Sequence, residues 1–292
     1  MFRGSIVAIV TPFDSEGRFD EEAFRQLVEF QIENGTDGIV PCGSTGEAAT
    51  LDHQGPMEVI RACVEQANKR VPILAGTGSN STSEAVELTK AAKEAGADGA
   101  LLITPYYNKP SQEGLYQHFK TVAEQVALPQ MLYNVPGRTG INLTVETTVR
   151  LAELSNIIGL KDASGSGNQA GEILARTGEE FVILSGDDSL TLPFMAVGAK
   201  GVISVTANIM PAAVKALVAA IEEGRWVDAR QKHFELLDIH NIMFIESNPS
   251  PVKAALELMG KCSARVRLPL VTMQPQSVEQ LKKVMTRHGL IA

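Results

Sequence analysis

Eight short apolar runs punctuate the first two-thirds of the chain, and each is closed by glycine or a small polar side chain. Residues 6–10 stop at Thr11-Pro12, and residues 38–40 lead into Gly43-Ser44-Thr45-Gly46. Residues 72–75 precede Gly76-Thr77-Gly78, and residues 100–103 precede Thr104-Pro105-Tyr106-Tyr107. Residues 131–133 end at Asn134, and residues 157–160 end at Lys161 before Asp162-Ala163-Ser164-Gly165. Residues 181–184 meet Ser185-Gly186-Asp187, and Val202-Ile203 meet Ser204. Bounded runs rich in Val and Ile suit strands of a buried parallel sheet. Between them lie segments of helical period. Phe24, Leu27, Val28 and Gln31 share one face, with Asp20 placed to cap the start and Gly35 the end. Ala85, Leu88 and Ala92 repeat the spacing before Gly96, and Ser111 and Thr144 each precede a further helix. Eight alternating units predict an α/β fold, a (β/α)8 TIM barrel, ahead of an open doubly wound sheet. The open sheet would carry a glycine fingerprint after its first strand, where this chain has Thr11-Pro12-Phe13.

From about residue 208 the alternation ceases. Val214, Leu217, Val218 and Ile221 mark one helix, and helical segments follow over 227–242, 251–259 and 277–286. The expected organisation is a catalytic barrel over 1–223 and a helical extension over 224–292, packed on the barrel.

The chain has 292 residues, 44% of them hydrophobic, enough for one large core. A formal net charge of −8 argues against nucleic acid or an anionic membrane as the main partner. Three cysteines without a CxxC pair give neither a disulfide framework nor a zinc signature. The first apolar run is broken too early for a signal peptide, and none reaches the ~18 residues a membrane span needs. A cytoplasmic protein is expected.

Barrel enzymes place their chemistry at the C-terminal ends of the strands. Here those ends supply Ser44, Thr45, Thr104, Tyr133, Lys161, Ser185 and Ser204. Turn formation explains Ser185 and Gly186 but not Tyr133, whose hydroxyl wants a partner when buried. Lys161 at the centre of such a ring would be partly desolvated, which favours the free amine. An amine condenses with a keto acid or aldehyde to a Schiff base, and the derived enamine attacks an aldehyde without any metal or organic cofactor. Tyr133 is the natural proton donor and acceptor, with Ser44, Thr45 and Tyr107 as hydroxyls that can relay protons. Arg138 can hold a carboxylate through two parallel hydrogen bonds, although, taken by itself, a solvated loop charge is the better explanation. Asp162 should point away from Lys161 across the strand. The glycine loops complete neither phosphate-binding pattern, and the five histidines (53, 118, 233, 240 and 288) show no HExxH. No metal site is expected, and His118 reads as a helix surface or interface residue.

Four stretches appear in order: Gly43-Ser44-Thr45-Gly46-Glu47, the 104–110 segment through Tyr106-Tyr107-Asn108-Lys109-Pro110, the 133–139 segment through Pro136-Gly137-Arg138-Thr139, and Gly159 to Gly165 around Lys161. Together with Gly186-Asp187-Asp188, residues 203–208 and Glu246-Ser247-Asn248-Pro249, they resemble the pyruvate-dependent class I aldolase superfamily, and within it the dihydrodipicolinate synthase family. The resemblance implies a lyase that joins pyruvate to L-aspartate-4-semialdehyde, the first committed step toward diaminopimelate and lysine. It implies a pyruvate imine on Lys161 and a proton relay of Tyr133, Ser44 and Tyr107, with Tyr107 reaching into a partner subunit's site. It gives Thr45 the pyruvate carboxylate, Arg138 the semialdehyde carboxylate, and the backbone near Gly186 and Ile203 the lining. Most bacterial members are dimers of dimers, so a homotetramer is expected. Ser44 stands where threonine is common; it keeps the hydroxyl and loses the methyl that restricts the rotamer. A feedback site for L-lysine would involve His53, Asn80, Glu84 and Tyr106, weakened by Ala48 and Pro56 where sensitive members carry polar side chains. The alternatives are a sister aldolase, such as N-acetylneuraminate lyase or a keto-deoxy sugar acid aldolase, and, more remotely, a non-catalytic barrel that binds a small acid. Arg138 argues against the sugar-cleaving relatives, which usually carry an uncharged residue there.

Overall fold

A computed structural model of the protein describes residues 2–51 and 55–292. Eight parallel strands, β1 (Gly4–Ala8), β2 (Gly38–Val40), β3 (Leu74–Gly76), β4 (Gly99–Ile103), β5 (Gln130–Asn134), β6 (Ile157–Asp162), β7 (Val182–Ser185) and β8 (Gly201–Ser204), pair in the order β2-β1-β8-β7-β6-β5-β4-β3. A parallel bridge between Ile39 and Ile73 joins β2 to β3 and closes the ring. The architecture is the expected barrel. The strands sit up to two residues from the apolar runs: β1 ends at Ala8, because beyond it Val10 N donates instead to the Asn208 side chain at 3.1 Å.

The pleat sorts the side chains into two cores. Ile6, Ala8, Val40, Leu74, Leu101, Met131, Tyr133, Leu184 and Ile203 fill the barrel interior, with Phe2 joining them. Their neighbours Val7, Ile39, Leu102, Leu132, Leu160 and Ile183 face outward and pack against the helices. That parity is the reason Tyr133 and Lys161, register partners on β5 and β6, share the inner face.

The outer layer is α1 (Glu21–Glu33), α2 (Gly55–Ala67), α3 (Thr82–Glu94), α4 (Gln112–Gln125), α5 (Pro136–Thr139), α6 (Val145–Ala152), α7 (Gly167–Arg176), α8 (Thr191–Ala196) and α9 (Pro211–Glu222). The caps follow the local sequence. Asp20 accepts from Ala23 N at 3.0 Å, Ser111 from Gly114 N at 3.2 Å and Thr144 from Thr147 N at 3.4 Å. Such caps contribute about 1 kcal/mol each. Gly35 lies just beyond the Asn34 cap of α1, at φ +82°, where a side chain would be strained. The helices α2, α7 and α8 and the single-turn α5 are not located in the sequence reading.

Three more helices follow: α10 (Trp226–Ile242), α11 (Ser250–Leu258) and α12 (Pro275–Arg287). The chain between α10 and the region after α11 reaches the strand ends. Asn248 touches the β2 exit loop and Arg138, while Lys253 and Arg267 touch Glu47. Among the described residues no helix is long and apolar enough to cross a membrane.

Candidate active site

The β6 strand delivers Lys161 to the inner face of the barrel near its C-terminal end, with 6% of the residue exposed. Its Nζ lies 4.2 Å from the centroid of the Tyr133 ring, brought there by the β5–β6 register. Tyr133 also lines a cleft of about 440 Å3, together with Gly43, Ser44, Ser79, Glu84 and Tyr106. The ring therefore has Lys161 against its face and belongs to the cleft wall that carries the Ser44 hydroxyl. Asp162, one residue on, points the opposite way. Its Oδ1 accepts from Ser164 N at 2.8 Å and from the Asn134 side chain at 3.4 Å, while Oδ2 is buried without a hydrogen-bond partner. Burial raises its pKa against the opposing pull of those donors.

The loop after β2 holds Ser44 half-buried and Thr45 almost fully buried. Asn248 donates from Nδ2 to Thr45 Oγ1 at 3.0 Å and accepts from Arg138 Nη2 at its backbone oxygen at 3.2 Å. One residue of the C-terminal region thus touches two of the expected substrate-binding side chains. Arg138 itself is exposed in α5.

The β7 and β8 exits are tied together by Asp188. Its carboxylate accepts from Ser204 Oγ, from Val205 N at 2.8 Å and from Thr206 N at 3.2 Å, at 2% exposure. These bonds fix the backbone beside Ile203 and Gly186. A Cβ on Gly186 would stand 2.8 Å from that of Ala163, so the close approach of β6 and β7 requires glycine there. Behind this layer His240 Nδ1 meets Thr206 Oγ1 at 2.9 Å, and burial lowers the imidazole's pKa although Asp188 and Asp187 pull the other way.

Tyr107 is not brought to this site within one chain. It is 89% exposed at φ +71°, on the loop after β4. Of the expected lysine-site residues, Asn80 donates to Tyr106 O at 3.2 Å, Ser79 donates to Glu84, and Glu84 and Tyr106 line the same cleft as Ser44. His53 lies outside the described residues. Among those described, no group of three or more His, Cys, Asp or Glu is placed to hold a metal ion.

Residues 1–288 match the dihydrodipicolinate synthetase family. The chain belongs to that family. A 4-hydroxy-tetrahydrodipicolinate synthase of Syntrophotalea carbinolica is 64% identical over 291 residues, covering 100% of this chain and 99% of the relative. A dihydrodipicolinate synthase of Acinetobacter baumannii, solved as its chloride-inhibited form complexed with pyruvate, is 49% identical with a TM-score of 0.98 over 100% of both chains. One from Cyanidioschyzon merolae, solved with lysine bound, is 40% identical with a TM-score of 0.95 over 99% of both. The activity is accordingly that of a lyase making 4-hydroxy-tetrahydrodipicolinate in the diaminopimelate and lysine route, ahead of the sugar acid aldolases and of a non-catalytic barrel.

Sequence reasoning missed Asn248, Glu47, Lys253 and Asp188 as parts of the site, although Glu47, Asn248 and Asp188 stand within stretches that carried the resemblance. Of the two readings of His118, helix surface or interface, the structure excludes the surface and sets it between α4 and α3. It is 5% exposed, with Nδ1 2.9 Å from Thr82 Oγ1, and burial lowers its pKa to about 4.

Proposed function

We propose that Lys161 is the nucleophile of the condensation and that Tyr133, Ser44 and a partner subunit's copy of Tyr107 move its protons. The observation that carries this reading is the pairing of Lys161 with Tyr133 on the inner face, 4.2 Å from ammonium to ring centroid, at the mouth of the barrel. The free amine adds to C2 of pyruvate, and loss of water gives the protonated imine. Removal of a proton from C3 yields the enamine: the C–H pair becomes the C2=C3 double bond, and the C=N π pair moves onto the nitrogen of Lys161. C3 then attacks the aldehyde carbon of L-aspartate-4-semialdehyde, whose oxygen takes a proton from the relay. The substrate's amine adds at C2 and displaces Lys161, which closes the ring, so the net by-product is one water. Thr45 and the backbone near Gly186 and Ile203 hold the pyruvate end, and Arg138 binds the semialdehyde carboxylate through two parallel bonds. The chain needs no resident cofactor in this scheme.

The exposure of Tyr107 supports an assembly in which that ring enters a neighbouring site, and we assign a homotetramer built as a dimer of dimers. The grouping of Glu84 and Tyr106 at a cleft shared with Ser44, with Asn80 bonded to Tyr106 O, supports L-lysine as a feedback ligand; the Cyanidioschyzon merolae synthase was solved with lysine bound. An acidic chain without a disulfide framework, using central metabolites, is placed in the cytoplasm.

The test is incubation with pyruvate, borohydride reduction and mapping of the adduct by mass spectrometry. An adduct on Lys161 is expected, and an adduct elsewhere refutes the assignment. Arg138→Ala should raise the KM for the semialdehyde roughly 10–100-fold while leaving imine trapping nearly intact, from the loss of charge-assisted bonds.

A further inference from the structure

The loop that presents Ser44 and Thr45 is bracketed by two residues in the left-handed region. Cys42 has φ +55° and Glu47 has φ +56°, and neither is glycine. Such conformations persist where the surroundings over-determine them, and they concentrate at functional sites. The surroundings here are tight. A Cβ on Gly76 would lie 2.0 Å from Cys42 O, and one on Gly46 would lie 3.0 Å from Cys42 N. Thr11 adds a bond from its hydroxyl to Gly46 O at 2.7 Å.

The Glu47 side chain is fully buried and meets an equally buried Lys253, Oε1 to Nζ, at 2.6 Å. Its other oxygen accepts from Arg267 N at 2.9 Å. Lys253 Nζ donates as well to Arg265 O at 2.6 Å and stands 4.1 Å from the centroid of the Phe13 ring, which lies past β1. Every member of this cluster is partnered, and the partners come from three places far apart in sequence. Buried ion pairs can often be replaced by apolar residues without loss of stability, so burial of this pair is weak evidence for a stabilising role. What a two-oxygen, two-donor arrangement adds is direction. It fixes the rotation of Glu47, whose own backbone is in the left-handed region, and hence the loop two and three residues before it, at Thr45 and Ser44. Asn248, in the segment that leads into Lys253, takes hold of the Thr45 hydroxyl.

We infer that the Glu47–Lys253 pair is a positioning device that sets Thr45 and Ser44 for pyruvate, and that the chain from Asn248 to Arg267 serves the site by holding that loop. The inference rests on the function proposed above, in which Thr45 receives the pyruvate carboxylate. Glu47 and Lys253 touch no substrate; they act through the loop.

The test uses the full-length enzyme in two variants. Glu47→Gln with Lys253→Met removes both charges and keeps the shapes. Glu47→Gln alone changes one side chain and keeps an acceptor for Arg267 N, and it leaves the buried Lys253 without its counter-charge. Thermal midpoint and oligomeric state are measured beside kinetics and the rate of borohydride trapping at subsaturating pyruvate. The expected result for the double variant is a folded assembly whose pyruvate KM rises roughly tenfold, with trapping slowed by a similar factor, the worth of one well-placed hydrogen bond at the ligand. The semialdehyde KM, set by Arg138, should change less than about twofold. The single variant should raise the pyruvate KM about threefold by the same reasoning. A folded variant of either kind with unchanged pyruvate KM overturns the inference, as does an equal change in both KM values. Should the double variant fail to fold, the single variant decides by the same readouts. If the unmodified enzyme traps no pyruvate on Lys161, the proposed function falls and takes this inference with it. If it does and the variants match it, only the inference falls.

Discussion

Replacing Asp188 tests whether the exits of β7 and β8 are held by one carboxylate. Asp188→Ala removes the acceptor of three donors, Ser204 Oγ, Val205 N and Thr206 N, in a place almost closed to water. A buried donor left without a partner costs about 1–3 kcal/mol. The Ser204 hydroxyl can rotate, but the two amides cannot, so the loss centres on about 4 kcal/mol for that corner. Asp188→Asn is the control. Its amide oxygen can serve both backbone donors while its NH2 turns to Ser204, leaving only the loss of charge assistance, about 1 kcal/mol. Native-state hydrogen exchange of the Val205 and Thr206 amides, read by mass spectrometry, reports the local opening directly. The alanine variant should lose roughly a thousandfold in protection and the asparagine variant about tenfold or less, at 1.4 kcal/mol per decade. Pyruvate turnover should fall in the same order, because Gly186 and Ile203 lie beside this corner. A loss under about fivefold in the alanine variant would refute the reasoning and leave the two exits held by their strand pairing alone.

Three further outcomes follow from the geometry. Burial lowers the His118 pKa to about 4 from 6.5, so the unfolded chain binds the extra proton within that window. Stability contributed by its neutral form is full above the unfolded pKa and falls as pH drops from about 6.5 toward 4, by about 3 kcal/mol at most; His118→Asn should flatten that slope in denaturant titrations, and an unchanged slope would acquit His118. Mixing a Lys161→Ala protein with a Tyr107→Phe protein should regain activity on subunit exchange, since some sites then hold an intact lysine and a partner's intact tyrosine; no regain in verified hybrids sinks the cross-subunit relay. Calorimetry with L-lysine should show binding in the millimolar range, weakened by Ala48 and Pro56, and Glu84→Gln should weaken it further by roughly tenfold through loss of a charged partner; no heat at millimolar lysine removes the feedback proposal.

The placement of Lys161 was legible because it is local. A strand has period two, so an apolar run that ends in lysine fixes which face the amine takes, and the same rule sends Asp162 outward. Tyr133 stood out because tyrosine does not make turns, and the helix caps at Asp20, Ser111 and Thr144 are readable three residues at a time. The role proposed for Tyr107 rests on resemblance, since a single chain leaves it in solvent.

What the amino-acid sequence determined by itself is therefore the alternation of units, the barrel they close into, and the inward lysine and tyrosine. The tertiary structure alone decided what grips the β2 exit loop. Asn248 reaches Thr45 across 203 residues and Lys253 reaches Glu47 across 206. No periodicity or spacing encodes such a contact, because its partners come together only once the ring has closed and the C-terminal helices have docked. The same holds for Asp188, whose donors lie on the next strand's exit. Short-range steric rules write the strands and their faces into the sequence, whereas burial of a charge becomes tolerable only where folding has assembled its partners around it.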